Sequence, residues 1–289
     1  MNKLQVFYDP RQTVAKNKSF SPSAGKPALV VEEWLKYYPI TIRPVKPVTR
    51  EDFYLVHDKQ HVDDILDLKK PNGFNNKLPE VAESLVWTSG SMVTAAQVAL
   101  AQGLNCVSPS SGFHHSEYFS SSGFCTFNGL VLAAVKLKDA LPAGKKVGIL
   151  DIDMYYGNGT MHIIHHLGLH DLIRHYTFGG NEILSERWNG GELADEWLRR
   201  LPKIVEEFED CAVVLYQAGA DPHVSDPYGG SLSDNQLLER DHIVFSKFRD
   251  MEIPVCWNLA GGYQTPIQRV LDIHNNTMEQ CLHAMGIDF

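Results

Sequence analysis

The sequence predicts an α/β fold: a three-layer sandwich with a mostly parallel central sheet flanked by helices. Two observations carry this expectation. Short, nearly continuous apolar runs recur along the chain, of the kind found in strands buried on both faces. Between many of them lie longer segments with helical apolar spacing, and alternation of the two builds helices onto a parallel sheet. No repeat, low-complexity tract or Pro/Ser-rich linker interrupts the pattern, so one domain spanning residues 1–289 is expected.

The strands are expected at Leu4–Tyr8, Ile40–Val45, Cys106–Ser108, Val147–Ile152, Ile173–Thr177, Ala212–Gln217 and Val255–Leu259. Each is a short apolar run, and most end at Gly, Asp or Ser. The helices are expected at Pro79–Gln102, Asn128–Asp139, Leu193–Glu209, Ser233–Arg249 and Pro266–Met285. In such sheets function gathers just beyond the carboxyl ends of the strands. The informative segments are therefore Ser110–Phe127, Asp151–Thr160, Ala218–Gly230 and Ala260–Gln264.

Composition narrows the classes of function. Apolar residues make up 44% of the chain, enough for a sizeable core, and charged residues 21%. The formal net charge of −9 comes with no basic stripe, which argues against a nucleic-acid partner. No apolar run is long enough for a membrane span, and the opening MNKLQVFYDPRQ lacks the apolar stretch of a signal peptide. The five cysteines are widely spaced with no CxxC pair, so free buried thiols and a cytoplasmic setting are expected.

Four constellations could carry chemistry. The first is Ser111-Gly112-Phe113-His114-His115, followed by Ser121-Ser122-Gly123-Phe124-Cys125-Thr126-Phe127-Asn128. Adjacent imidazoles reach one site only if the backbone turns, and Gly112 permits that. Two such rings could serve as base and acid, or lie on a surface loop, as His165-His166 is expected to do. The second is the strand entering Asp151-Ile152-Asp153, which points two carboxylates the same way. Acids after a buried run are costly unless they meet a cation or cap a helix. The third is Asp221 at the exit of another buried strand, with Asp226-Pro227-Tyr228-Gly229-Gly230 downstream. The fourth is Gly261-Gly262-Tyr263, whose hydroxyl could donate to a developing oxyanion, or which could be a plain turn.

In order and spacing the four segments resemble the signature set of the histone-deacetylase and acetylpolyamine-amidohydrolase superfamily, which has the arginase-like fold. Val56-His57-Asp58-Lys59-Gln60-His61-Val62 is similar to an early segment of that family, and the resemblance runs over residues 50–270. It implies an amidohydrolase acting on an acyl-lysine peptide or a related acylated amine, with Zn2+ as cofactor. Asp153 and Asp221 would be zinc ligands, with Asp-x-Asp-x-His supplying the third. His114 and His115 would handle protons, Asp151 accepting a hydrogen bond from His114 and Asn158 standing behind His115. Asn at that place resembles the class II and bacterial branches. A neutral partner behind His115 makes it the better base. Tyr263 would polarise the acyl carbonyl. Phe124, Gly123, Gly261 and Gly262 would shape the substrate channel, and backbone carbonyls of Asp151 and Asp153 would hold a structural K+.

The chain departs from that pattern at the third ligand, where Tyr155 stands in place of His. Tyrosine is not a usual zinc ligand and must lose a proton to bind well. Three readings follow: a recent or deliberate substitution in an otherwise complete set, a non-catalytic acyl-lysine-binding protein, or a working site with tyrosine as ligand. A second departure follows the strand Ile173–Thr177, where Phe178 is the candidate for the other channel wall. An acetylpolyamine deacetylase is the close alternative within the class. An arginase-like ureohydrolase is disfavoured, because its two-manganese cluster needs more carboxylates and histidines.

Overall fold

The computed structural model describes residues 3–180 and 191–289. Among these, seven strands form one sheet: β1 (Leu4–Phe7), β2 (Ile40–Arg43), β3 (Cys106–Ser108), β4 (Lys146–Ile152), β5 (Ile173–Thr177), β6 (Cys211–Gly219) and β7 (Val255–Ala260). Their order across the sheet is β2-β1-β3-β7-β6-β4-β5, and every pairing between them is parallel. Parallel neighbours need crossover connections, which is why helices cover both faces.

The strands sort their side chains between two cores with a period of two. In β4, Leu150 and Ile152 join a core with Trp34, Trp197, Phe245 and Met278, whereas Val147 and Ile149 join another with Phe53, Leu130 and Ile163. The first core is closed by α1 (Lys26–Tyr37), α7 (Gly191–Glu206), α8 (Asp234–Asp250) and α9 (Gln268–Ala284). The second is closed by α2 (Arg50–Phe53), α3 (Lys59–Leu66), α4 (Pro79–Gln102), α5 (Gly129–Leu137) and α6 (Asn158–His166). The expected three-layer α/β sandwich is therefore the observed one. No helix among the described residues is long and apolar enough to cross a membrane.

The sheet becomes polar towards the carboxyl ends of the strands. Ser108 pairs with Asn258, Asn258 with Gln217, Gln217 with Asp151 and Asp151 with Thr177. All five are buried and lie on the face towards α4–α6. Hydrogen bonds link the row to itself and to its helices: Gln217 Nε2 donates to Asp151 Oδ1 at 3.0 Å, and the Ser108 and Ser91 hydroxyls are 2.7 Å apart. This polar row is the floor on which the strand-end loops stand.

Several element limits differ from the sequence expectation. β2 stops at Arg43, before Val45, and the helix expected at Asn128–Asp139 divides into α5 and a 3-10 turn over Lys138–Ala140. Helices α1, α2, α3 and α6 add to the expected ones. Gly25 and Pro27 read as loop punctuation before α1, and Gly157 and Gly159 do the same around α6, although Pro in the first turn is well tolerated.

Candidate active site

The loops after β3, β7, β6 and β4 come from four neighbouring strands, so their first residues converge at one edge of the sheet. There they enclose a cavity of about 20 Å3, lined by His114, His115, Asp153, Tyr155, Asp221 and Tyr263 together with Gly123 and Gly261.

Each histidine is oriented by a partner behind it. The Nδ1–H of His114 donates to Asp151 Oδ2 at 2.8 Å, and its Nε2 lies 3.6 Å from Asp153 Oδ1. Burial opposes a charge on His114, but Asp151, Asp153 and Asp221 outweigh it and hold the ring up at about 9, so it is cationic at neutral pH. His115 Nδ1 is 2.6 Å from Asn158 Oδ1. The Asn158 amide is itself set by Nδ2 donating to Glu117 Oε1 at 2.9 Å, which leaves its oxygen as acceptor towards His115. His115 therefore carries its proton on Nδ1 and offers a lone pair at Nε2. Burial and the neighbouring His114 charge push it below its ordinary value. The two rings sit 4.0 Å apart, one held charged and the other neutral.

Asp153 and Asp221 are both buried. Burial and the charge of Asp153 push Asp221 well above its ordinary value, as expected for two buried acids that share one site. Zinc would need a third protein ligand. Tyr155, the residue at that ligand's place in the sequence, has its hydroxyl donating to the Tyr228 carbonyl at 2.7 Å. Burial, followed by Asp221, Asp226 and Asp153, pushes the phenol upward, away from the phenolate a metal requires. Among the described residues no group of three or more His, Cys, Asp and Glu is arranged to hold a metal. The residues present do not fit a complete zinc centre.

The last strand end presents Tyr263. Gly261 has φ +48° and Gly262 φ +87°, and a Cβ on Gly261 would overlap the Asp221 carboxylate. Only glycine allows the backbone to pass so close. Beyond this turn, Asp226 Oδ2 accepts from the Tyr263 backbone N–H at 2.8 Å. Below it the fully buried Lys26 donates to the Gly261 carbonyl. Burial lowers the Lys26 ammonium to about 8 against the pull of Asp221, Asp153 and Asp226. Phe124 flanks Tyr263 with ring centroids 5.9 Å apart, and Gly123 leaves no room for a Cβ beside the His115 ring. Phe178 does not form the opposite wall: it is fully buried, 4.5 Å from the Trp197 ring in the α1/α7–α9 core. The parity of β5 explains this, since Tyr176 and Phe178 point away from the site face.

Sequence reading passed over Lys26, Glu117 and Gln217, and quoted Asp226 without a role. Long-range contacts give these residues their significance, and no local motif announces them. His57, quoted only within a resembling segment, is also structural. Its Nδ1–H donates to the Glu117 carbonyl at 2.9 Å, and its Nε2 accepts from the Asn128 N–H at 2.9 Å. Both bonds require the neutral ring, and burial lowers its pKa from 6.5 to about 3. As pH falls below the unfolded value, the unfolded chain takes up a proton that the folded chain refuses. This contribution is thus complete above pH 6.5 and is lost towards pH 3. From pH 7 to pH 5 this group alone is expected to cost roughly 2 kcal/mol. Urea midpoints of the chain and of His57→Gln at the two pH values check this; an equal drop in both would sink it.

Comparison with known proteins agrees with this architecture. The family model described as Histone deacetylase domain matches residues 26–171. Histone deacetylase 18 of Arabidopsis thaliana is 29% identical over 220 residues, covering 61% of this chain and 32% of that protein. A probable deacetylase of Methanothermobacter thermautotrophicus is 24% identical over 216 residues, covering 65% of this chain and 64% of that protein. The crystal structure of the HDA15 HD domain superposes with a TM-score of 0.74 at 18% identity, over 96% of this chain and 90% of that one, a likeness of fold. The chain spans less than a third of the length of Histone deacetylase 18 and half that of Histone deacetylase 2 of Arabidopsis thaliana, of which it covers 32% and 50%. With the family match covering half of its length, the chain belongs to the histone deacetylase domain family.

Proposed function

We propose that this chain is a deacetylase-type hydrolase in design, with a pocket for an acyl-lysine side chain or a related N-acyl amine, and that Tyr155 holds its turnover low. The observation that carries the reading is the placement of a neutral His115, a cationic His114 and Tyr263 around one cavity. In that arrangement His115 Nε2 takes the proton of an attacking water. His114 remains charged and stabilises the negative charge that develops on the acyl oxygen, and His115 then gives its proton to the amine nitrogen as the C–N bond breaks. The Tyr263 hydroxyl, raised above its ordinary range by burial and by Asp221, stays protonated and donates to the acyl oxygen. Zinc is the metal proposed for such a pocket, but Asp153 and Asp221 are only two of the three protein ligands it needs.

That shortfall favours one second reading, a non-catalytic binder of acylated lysine. Its support is the Tyr155 hydroxyl, committed to Tyr228. An acetyl-lysine peptide and an acetylated diamine, each offered to the chain as it stands, separate the possibilities. Released acetate is measured in one assay and heat of binding in another. Slow hydrolysis abolished by His115→Ala supports the hydrolase. Binding without hydrolysis supports the binder. If neither ligand binds or reacts, both readings fail. Preference for the diamine over the peptide would identify an acylated polyamine as the substrate.

A further inference from the structure

The cavity between the histidines and Tyr263, at about 20 Å3, has room for little more than one water molecule. An acyl group on a lysine stem does not fit in it. Its Tyr263 wall belongs also to a ring of aromatic side chains. Phe20, on the segment between Gln12 and α1, is 68% exposed and yet meets three other rings. Its centroid lies 5.1 Å from Phe124, edge to face, 5.8 Å from Tyr228, stacked, and 6.4 Å from Tyr263. Tyr228 and Tyr263 complete the ring at 4.9 Å. A large apolar side chain left that exposed gains little from burial, so its position is held by these ring contacts.

Tyr155 reaches the same ring through Tyr228. It is 39% exposed, and its hydroxyl bond to the Tyr228 carbonyl ties the loop after β4 to the loop after β6. That bond holds Tyr228 where Phe20 stacks on it. On the outer side of Phe20 lies a cleft of about 530 Å3, lined by Asn17, Phe20, Ser21, Pro22, Tyr263 and Gln264. Tyr263 is thus a wall shared by the cleft and the inner cavity.

We propose that Phe20 and Tyr155 are the two halves of a gate on this pocket, Phe20 as its moving leaf and the Tyr155–Tyr228 hydrogen bond as its latch. The gate rests on the functional reading above only for the identity of what enters. Opening swings the Phe20 ring off Phe124 and Tyr228 and joins the cavity to the cleft along Tyr263. The acyl end of the ligand then enters by that route, and Phe20 decides how broad an acyl group passes. In this role Tyr155 works through the backbone of Tyr228 and needs no metal.

Cys125 gives a readout that needs no substrate. It is a buried free thiol lining the inner cavity, whereas Cys256 is buried in β7 and does not line it. The chain is treated with methyl methanethiosulfonate and the labelled cysteines are identified by peptide mass spectrometry over time. Phe20→Ala removes a largely exposed ring, and Tyr155→Phe removes only a hydroxyl. Each is expected to speed labelling of Cys125 about tenfold, because taking away a ring stack or a hydrogen bond shifts the closed-to-open ratio several-fold. Cys256 stays protected in both. An unchanged Cys125 rate in the two variants overturns the gate. So does a Cys125 rate that rises in step with Cys256, since the whole fold would then be opening. Failure of acyl-lysine hydrolysis leaves this labelling result untouched.

Discussion

Tyr155→His is expected to raise zinc, measured by elemental mass spectrometry after dialysis, from well below one to about one per chain. The reason lies in what already surrounds position 155. Asp153 and Asp221 are buried, and the repulsion that pushes Asp221 upward is relieved by a dication. Imidazole binds a metal neutral, at no cost for removing a phenol proton. The orienting partners stand ready, with Asp151 on His114 and Asn158 on His115. Affinity should rise by about 100-fold or more, the scale on which weakening even the outer support of a metal site is felt. Amide hydrolysis should rise with it, and His115→Ala in the same background should remove it. A Tyr155→His chain that folds and still holds no zinc would show that the defect lies elsewhere, in the spacing of the two carboxylates.

The second large effect concerns the support of Asp221. Arg240 is fully buried and donates to the Gly219 carbonyl at 2.6 Å and to Asp241 through Nε and Nη2. Asp241 also accepts from the Tyr216 and Thr277 hydroxyls. Gly219 ends β6, two residues before Asp221, so this buried pair bolts down the strand end that delivers the carboxylate. Arg240→Met removes one charge and leaves the other buried without its partner. The expected loss is about 3–5 kcal/mol, read from the urea midpoint at constant slope. The double change Arg240→Met with Asp241→Leu should recover a large part of it, since the penalty is an uncompensated charge more than a missing attraction. A single-variant loss below about 1 kcal/mol would mean that water reaches Asp241.

The local sequence by itself determined the sheet and where its chemistry lies. Nearly continuous apolar runs such as Val147–Ile152 and Val213–Ala218 are compatible with burial on both faces, and that dictates a parallel sheet under helices. Polar residues at the end of such a run, or in the loop after it, stand at the carboxyl edge of the sheet. His114, His115, Asp151, Asp153, Asp221 and Tyr263 could therefore be named from one-dimensional order before any contact was known. Asn158 behind His115 followed from the family resemblance and is where the structure has it.

Tertiary structure decided the rest, because it depends on residues far apart in the chain. Lys26 reaches Gly261 across 235 positions, and Glu117 orients Asn158 across 41. Neither belongs to a pattern with a period, so neither could be read from spacing. Phe178 was a candidate for the channel wall because the resembling family has a Phe after this strand, and the parity of β5 in the assembled sheet turned it into the core. Phe20 gave no signal at all, since an aromatic in a Ser-rich loop takes its meaning from the rings it meets. Tyr155 shows both limits at once. Its identity marked the broken ligand set in the sequence, while the hydroxyl's use depended on whether a metal or the Tyr228 carbonyl stood within reach, which only the packing of the β4 and β6 loops could settle.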